Sequence, residues 1–327
     1  MGEATRDAAV ALERLARARR VFITSHSSPD GDAIGSELGM LDLAGQLGIA
    51  AMVLNRDPHP ANLGFLPGVE RVTTGASLPA TYASDFDLAL IIECPGLDRP
   101  GLSGLDQIPL LNIDHHLANE IFGDVNFVDD EAPAVGEMVL AMAEASGAQV
   151  TPAMATNLYT ALVTDTGDFR YSNATPRAFT AASRLVAAGA SPHRIADALW
   201  EHVPPRVIRL TAVVLETLEL LAGGRLALLR CDRASLERAG AHPEDTENLI
   251  NLPRSIDGVE VAVLLKAFTK EAVRVSLRSR GAVDVQAVAS SFGGGGHRNA
   301  AGCTLHSSLE GAREAVLAAL LPVLESS

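Results

Sequence analysis

Cysteine is nearly absent from this chain of 327 residues: Cys94, Cys231 and Cys303 stand far apart, with no CxxC pair. That excludes a zinc ribbon and argues against a disulfide framework. Positive charge is also scarce, with 26 Lys and Arg against 40 Asp and Glu, a formal net charge of −14. Coating long nucleic acid requires a basic footprint, so no long nucleic acid is expected as a partner. No apolar run approaches the roughly 18–20 residues that span a bilayer, and no membrane partner is expected either. The N-terminal stretch MGEATRDAAVALERLARARR carries its acids early and its basic residues late, the reverse of a secretory signal. It reads as an amphipathic helix, and the expected compartment is the cytoplasm.

What is present suits a globular chain, 47% hydrophobic and 20% charged, with length enough for two domains. Charge is uneven: from Arg254 to Arg298, seven Lys and Arg stand against four acids. The first half alternates short apolar runs with helical patterns. VFIT (21–24), AMVLN (51–55), DLALIIE (87–93) and PLLNID (109–114) read as buried strands. Helical spacing recurs from Ala33 to Leu47 and over 134–147, 152–165, 176–188 and 192–201. Such alternation predicts an α/β fold with a mainly parallel sheet flanked by helices. Pro204-Pro205 then breaks the pattern before a helix over 206–222. RLALLR (225–230), VEVAVLLKAF (259–268) and AVRVSLRS (272–279) are further strands, and a helix over 309–324 closes the chain. The expected division is a first domain over 1–190, a linker over 191–205 and a smaller α/β domain over 206–327.

The polar residues fall at strand ends. His26, Asp30 and Asp32 follow the first predicted strand, Glu93 ends the third, Asp114, His115 and His116 end the fourth, and Asp165 closes a helix. Ligands of parallel α/β sheets bind beyond the carboxyl ends of the strands. Carboxylate and imidazole together suit Mn²⁺, Fe²⁺, Co²⁺ or Zn²⁺, and two such ions roughly 3.5–4 Å apart clamp a phosphoryl group and activate water. Each piece has an ordinary reading as well. HSSPDGD is a good turn sequence, a His-His pair can simply pack, and Asp165 can cap a helix. Convergence on one sheet edge favours the two-metal reading.

A second feature is SFGGGGHRNAAG (291–302), whose glycines expose backbone N–H groups as anion-binding loops do. It is no P-loop, because GK[ST] is missing. A flexible linker is the plain alternative, yet this run leads straight into an apolar strand pattern. Arg278, in SLRSR, is placed to offer a phosphate contact.

HSSPDGDAIGS, IDHH, TDTGDFRYSN and FGGGGHRNAAG, in this order from residue 26 to 302, resemble the motifs of the DHH/DHHA1 phosphoesterases. The arrangement is nearest to the bacterial nanoRNase branch, oligoribonucleases that also dephosphorylate 3′-phosphoadenosine 5′-phosphate (pAp). The resemblance implies an N-terminal DHH domain with a dimanganese site, a C-terminal DHHA1 domain that binds the nucleotide end, and an active-site cleft between them. By motif, His26 and Asp30 would hold one metal, Asp32 and His115 the other, Glu93 would bridge, and Asp165 would complete the set. Asp114 would orient the ligands and His116 would face the scissile phosphate. Arg278 and the loop Gly294, Gly295, Gly296 and His297 would contact the substrate. A homodimer is a family analogy. One departure stands out: where the family carries aspartate, in a pattern like DCGDLDR, this chain has ECPGLDR, with Glu93 one methylene longer.

The implied function is metal-dependent hydrolysis of short oligoribonucleotides, linear dinucleotides and pAp. Two other readings stay open: a phosphodiesterase that opens cyclic dinucleotides, and a nucleotide sensor whose catalysis Glu93 has weakened.

Overall fold

A computed structural model describes residues 4–246, 249–269, 271–281 and 283–325, with the His297 side chain outside the described set. The chain forms two compact units, residues 1–202 and 203–327.

In the first unit the strands are β1 (Ala4–Thr5), β2 (Arg20–Thr24), β3 (Ala50–Asn55), β4 (Val72–Thr74), β5 (Leu88–Ile92), β6 (Leu110–Asp114) and β7 (Val125–Val128). Their order is β1-β7-β6-β5-β2-β3-β4, and every neighbouring pair is parallel. The helices are α1 (Ala8–Ala16), α2 (Gly31–Gln46), α3 (Val135–Ser146), α4 (Pro152–Asp165) and α5 (Pro176–Ala187). All residues of β5 and β6 are buried, which is why β5 reads as an unbroken apolar run and β6 as a largely apolar one. From β2 the chain moves outward to β3 and β4, then returns to β5 on the other side of β2. A crevice therefore opens at the carboxyl ends of β2 and β5, the usual ligand position of such sheets.

Two helices close in on that crevice through glycine. α2 and α4 pack antiparallel: a Cβ on Gly31 would lie 2.4 Å from Thr164 Oγ1, and one on Gly35 would lie 2.5 Å from the carbonyl oxygen of Asn157. Side chains larger than hydrogen would push the helices apart. The start of α2 is thereby held beside the end of α4.

The second unit has a mixed sheet of β8 (Glu219–Leu221), β9 (Leu226–Asp232), β10 (Val261–Ala267), β11 (Val273–Ser279), β12 (Gly295–His297) and β13 (Ala300–Leu305), in the order β12-β13-β11-β10-β9-β8. Only β9 and β10 run parallel among the described pairs. α6 (Pro205–Leu215), α7 (Arg233–Ala239), α8 (Val285–Ser291) and α9 (Leu309–Glu325) flank it. One face of the sheet packs Val261, Val263, Val275 and Leu277 against Val316 and Leu320, and the other packs Leu229 and Leu264 against Leu210 and Val214.

Several sequence expectations change here. The helix over 206–222 ends at Leu215, and residues 219–221 instead pair with β9. Thr217 makes the turn: its hydroxyl donates to Val214 O at 2.7 Å and accepts from Arg230 N at 2.9 Å. Covering the edge of β9 satisfies backbone groups that a longer helix would leave open. The short strands β1, β4 and β7 were not expected, whereas residues 192–201 are helical as expected and fall within the first compact unit. The glycine run folds into a hairpin rather than an open loop.

Candidate metal centre

Local structure carries the first ligands. Asp30 is the N-cap of α2: its Oδ1 accepts from Asp32 N at 3.0 Å and Ala33 N at 3.1 Å, so the helix starts just after His26. Asp32, in the first turn, is buried. Its Oδ1 accepts from Ser36 Oγ and Gly136 N, each at 2.9 Å, and its Oδ2 accepts from Val135 N at 2.7 Å. Val135 and Gly136 open α3, so a helix N-terminus with its positive dipole end stabilises this carboxylate.

Glu93 follows β5 with φ 57°, a left-handed conformation costly for glutamate. Its backbone N–H donates to Ile113 O at 2.9 Å, which ties the turn to β6. The end of β6 delivers Asp114, with His115 and His116 directly behind, and the end of α4 supplies Asp165.

These side chains converge into three overlapping sets able to hold a cation: His26, Asp30 and Glu93; Asp32, His115 and Asp165; and Glu93, His115 and His116. His26 Nε2 lies 2.5 Å from Glu93 Oε2 and 4.0 Å from Asp30 Oδ1. His115 Nε2 lies 3.9 Å from Asp32 Oδ2 and 3.8 Å from Asp165 Oδ2, and His116 Nε2 lies 3.8 Å from Glu93 Oε1. The short His26–Glu93 approach favours charge on both groups.

The imidazoles are oriented as metal ligands are. Nδ1 of His26 lies 2.9 Å from Ser27 O, Nδ1 of His115 lies 3.1 Å from Ala132 O, and Nδ1 of His116 lies 2.8 Å from Asp114 Oδ1. An acceptor at Nδ1 fixes the N–H there and turns Nε2 toward the cluster. The protonation balance agrees. Burial opposes charge on His26 and His115, yet Glu93 raises His26 to about 10, and Asp165 and Asp32 raise His115 to about 9. Burial pushes Asp32 up to about 7 and Asp165 up to about 6, and it also raises Glu93. Several buried carboxylates without a cation among them hold protons instead. The donor set fits divalent cations of the Mn²⁺, Fe²⁺, Co²⁺ and Zn²⁺ group.

Sequence reasoning missed the residues that brace these ligands. Asn119 Nδ2 donates to Asp114 Oδ2 at 2.6 Å and Asn112 Oδ1 at 2.8 Å, fixing the carboxylate that holds His116. Burial opposes a charged Asp114, but the His116 and Asn119 hydrogen bonds keep its carboxyl low; burial likewise opposes charge on His116, and Asp114 raises it. Asn173 Nδ2 donates to Asp165 Oδ2 at 3.2 Å. Both asparagines sit within a few residues of a ligand motif, in DHHLAN and FRYSN, which is the one signal the sequence offered. Asp168, another acid of that segment, accepts from Arg170 at 2.6 Å.

The remaining candidates belong to the second unit. Arg278 sits on β11, in register with Ala262 and Ala300, on the face opposite Leu277. In the hairpin, a Cβ on Gly294 would lie 2.2 Å from Gly302 O, and one on Gly296 would lie 2.5 Å from Ala300 O, whereas a Cβ on Gly295 would meet nothing within 4 Å. The backbone of His297 closes the hairpin opposite Ala300.

Comparisons with known proteins agree over most of the chain. Residues 20–162 match the DHH family N-terminal domain and residues 224–325 the DHHA1 domain. The bifunctional oligoribonuclease and PAP phosphatase NrnA of Thermus thermophilus is 36% identical over 308 residues, 92% of this chain and 89% of that protein. Its namesake from Bacillus subtilis is 26% identical over 303 residues, 88% of this chain and 90% of that protein. An exopolyphosphatase-related protein from Bacteroides fragilis shares the fold with a TM-score of 0.87 at 24% identity, covering 96% of each chain. The chain belongs to the DHH/DHHA1 family of phosphoesterases, hydrolases of phosphoester bonds, and is similar over most of its length to their NrnA members.

Proposed function

We propose that this protein hydrolyses short oligoribonucleotides, linear dinucleotides and pAp, with two Mn²⁺ ions in the centre at the ends of β2, β5 and β6. The observation that carries the reading is the convergence of His26, Asp30, Glu93, Asp32, His115 and Asp165, with each imidazole turned inward by an acceptor at Nδ1. The names of its relatives supply the substrate class. His26 and Asp30 would hold one ion, Asp32, His115 and Asp165 the other, and Glu93 would reach both. When bound, such ions lower the pKa of water and offset the charge that develops on a phosphoryl group.

The chain's own groups do the rest. Asp114 accepts from His116 Nδ1 and, against burial, favours the imidazolium form of the ring, in which Nε2 also carries a proton that it can give to the substrate. That proton serves a phosphoryl oxygen or the leaving oxygen, and Asn119 keeps Asp114 from turning away. In the second unit, a Cβ on Gly295 would meet nothing within 4 Å, and Arg278, whose Nη1 donates to Leu277 O at 3.0 Å, is the candidate cation for a phosphate. These residues would hold the nucleotide end. The domain boundary of this reading lies near His202.

Incubation of the purified protein with Mn²⁺ and a panel of pApA, a short RNA, pAp and a cyclic dinucleotide tests the proposal. Turnover of the linear substrates and pAp well above a His115→Ala control is expected. Binding without turnover would mean a sensor, and preference for the cyclic substrate would overturn the substrate assignment.

A further inference from the structure

Glu37 is a buried carboxyl outside the three ligand sets. It lies in the second turn of α2, fully buried, on the helix that carries Asp30 and Asp32 at its start. A carboxyl group in such a place is costly unless its hydrogen bonds are made. Its partner is Asn55, the last residue of β3 and likewise fully buried. Asn55 Nδ2 donates to Glu37 Oε2 at 2.9 Å. With its nitrogen committed there, Asn55 turns Oδ1 toward β2, where it accepts from Ser25 N at 3.2 Å and Thr24 Oγ1 at 3.3 Å. Ser25 immediately precedes His26. Against burial, the Ser25 side chain also favours the charged form of the Glu37 carboxyl.

This chain of contacts links three elements that deliver or flank ligands: α2, the end of β3 and the end of β2. The register of the parallel neighbours β2 and β3 ends at Ile23 and Val53, one residue before Thr24 and two before Asn55. Beyond that point the ladder gives out, and the Asn55 side chain takes its place in fixing where β2 releases the chain toward His26. An asparagine amide is nearly symmetric in shape, so only its partners decide which end points at Ser25. Glu37 supplies that decision, because a carboxyl oxygen accepts from Nδ2.

We propose that Glu37 is a positioning residue of the metal centre: by orienting Asn55 it fixes the exit of β2, and with it His26 relative to Asp30. The inference rests on the metal-centre reading above. Burial raises the Glu37 carboxyl to about 7, so near neutral pH the group is substantially protonated. The neutral acid still accepts from Asn55, and the isosteric amide can do the same.

The test is Mn²⁺ affinity, measured by calorimetry and by the Mn²⁺ electron spin resonance signal, with melting in chelator as a separate readout. Glu37→Gln should bind Mn²⁺ like the unsubstituted protein. Glu37→Leu should bind about 10- to 100-fold more weakly, the usual loss when a residue that orients a ligand is removed. Its melting temperature in chelator should fall too, because leucine leaves the buried Nδ2 of Asn55 without an acceptor, whereas Glu37→Gln keeps that bond and separates the two effects. Asn55→Ala should show a similar loss, and adding Glu37→Leu to it should cost little more, because both act through one contact. Unchanged Mn²⁺ affinity in Glu37→Leu overturns the inference, as does a Glu37→Gln variant as weak as Glu37→Leu, which would assign the effect to charge. If the unsubstituted protein binds no Mn²⁺, the metal-centre reading itself is what fails.

Discussion

Lowering the pH from about 8 to about 6 should weaken Mn²⁺ binding by about 100-fold. In the metal-free cluster Glu93 holds His26 up at about 10, and Asp165 and Asp32 hold His115 up at about 9, each against the effect of burial. Both rings therefore carry a proton across this range, and it must leave before Nε2 can take a cation. One linked proton is worth tenfold per pH unit, about 1.4 kcal/mol, so two units give about 100-fold or about 2.7 kcal/mol. The set containing His115 should respond more steeply below neutrality, because burial places Asp32 at about 7 and Asp165 at about 6. Stability follows with a definite sign. These folded-state values are all raised, so the native metal-free protein binds more protons than the unfolded chain. That contribution is complete below the unfolded values, about 4 for the acids and about 6.5 for histidine, and is lost as pH rises through 6 to 10. The metal-free melting temperature should fall between about pH 6 and about pH 9, while the increment from added Mn²⁺ grows. Titration calorimetry in two buffers of different ionisation heat counts the protons, with about one released per imidazole expected. Equal affinity at both pH values with no proton release would refute the reasoning, since these rings would then hold no cation.

Three further outcomes are expected. Glu93→Asp should preserve or raise turnover of pApA, because aspartate adopts the left-handed backbone at φ 57° more readily and keeps the charge; complete loss would show a site built around the longer acid. Gly35→Ala should cost about 1–3 kcal/mol in calorimetric melting, since its Cβ would meet Asn157 O at 2.5 Å, and Mn²⁺ affinity should drop as Asp30 and Asp165 separate; an unchanged melt contradicts the packing argument. Gly294→Ala should destabilise the second unit by steric conflict with Gly302 O, whereas Gly295→Ala should leave stability within about 0.5 kcal/mol and raise the KM for pAp. Identical behaviour of the two variants would sink the assignment of Gly295 to the ligand.

The parts that could be read from the chain are those whose cause is local. VFIT, LALII and LLNID are buried and largely apolar because both faces of a parallel strand are covered, so they announce themselves. His26, Asp30 and Asp32 share one strand-to-helix turn, and Asp114, His115 and His116 are consecutive, so each group is visible as a cluster. The hairpin at 295–302 was hidden because four glycines carry no pattern, and β8 was hidden because 215–221 suits either a helix or an edge strand. Asn119 and Asn173 lay beside the motifs but looked like ordinary loop residues.

The order of the motifs and the alternation of apolar runs determined the α/β class and the ligand types from sequence alone, because both depend on neighbours a few residues away. Tertiary structure decided how the ligands are held. Asp32 takes its hydrogen bonds from Val135 and Gly136, about a hundred positions along the chain. Gly35 meets Asn157, and Asn55 links Glu37 to Ser25, the neighbour of His26. Such contacts leave no periodicity in the sequence, since a hydrogen bond or a close helix crossing depends on distance in space and not on separation in the chain.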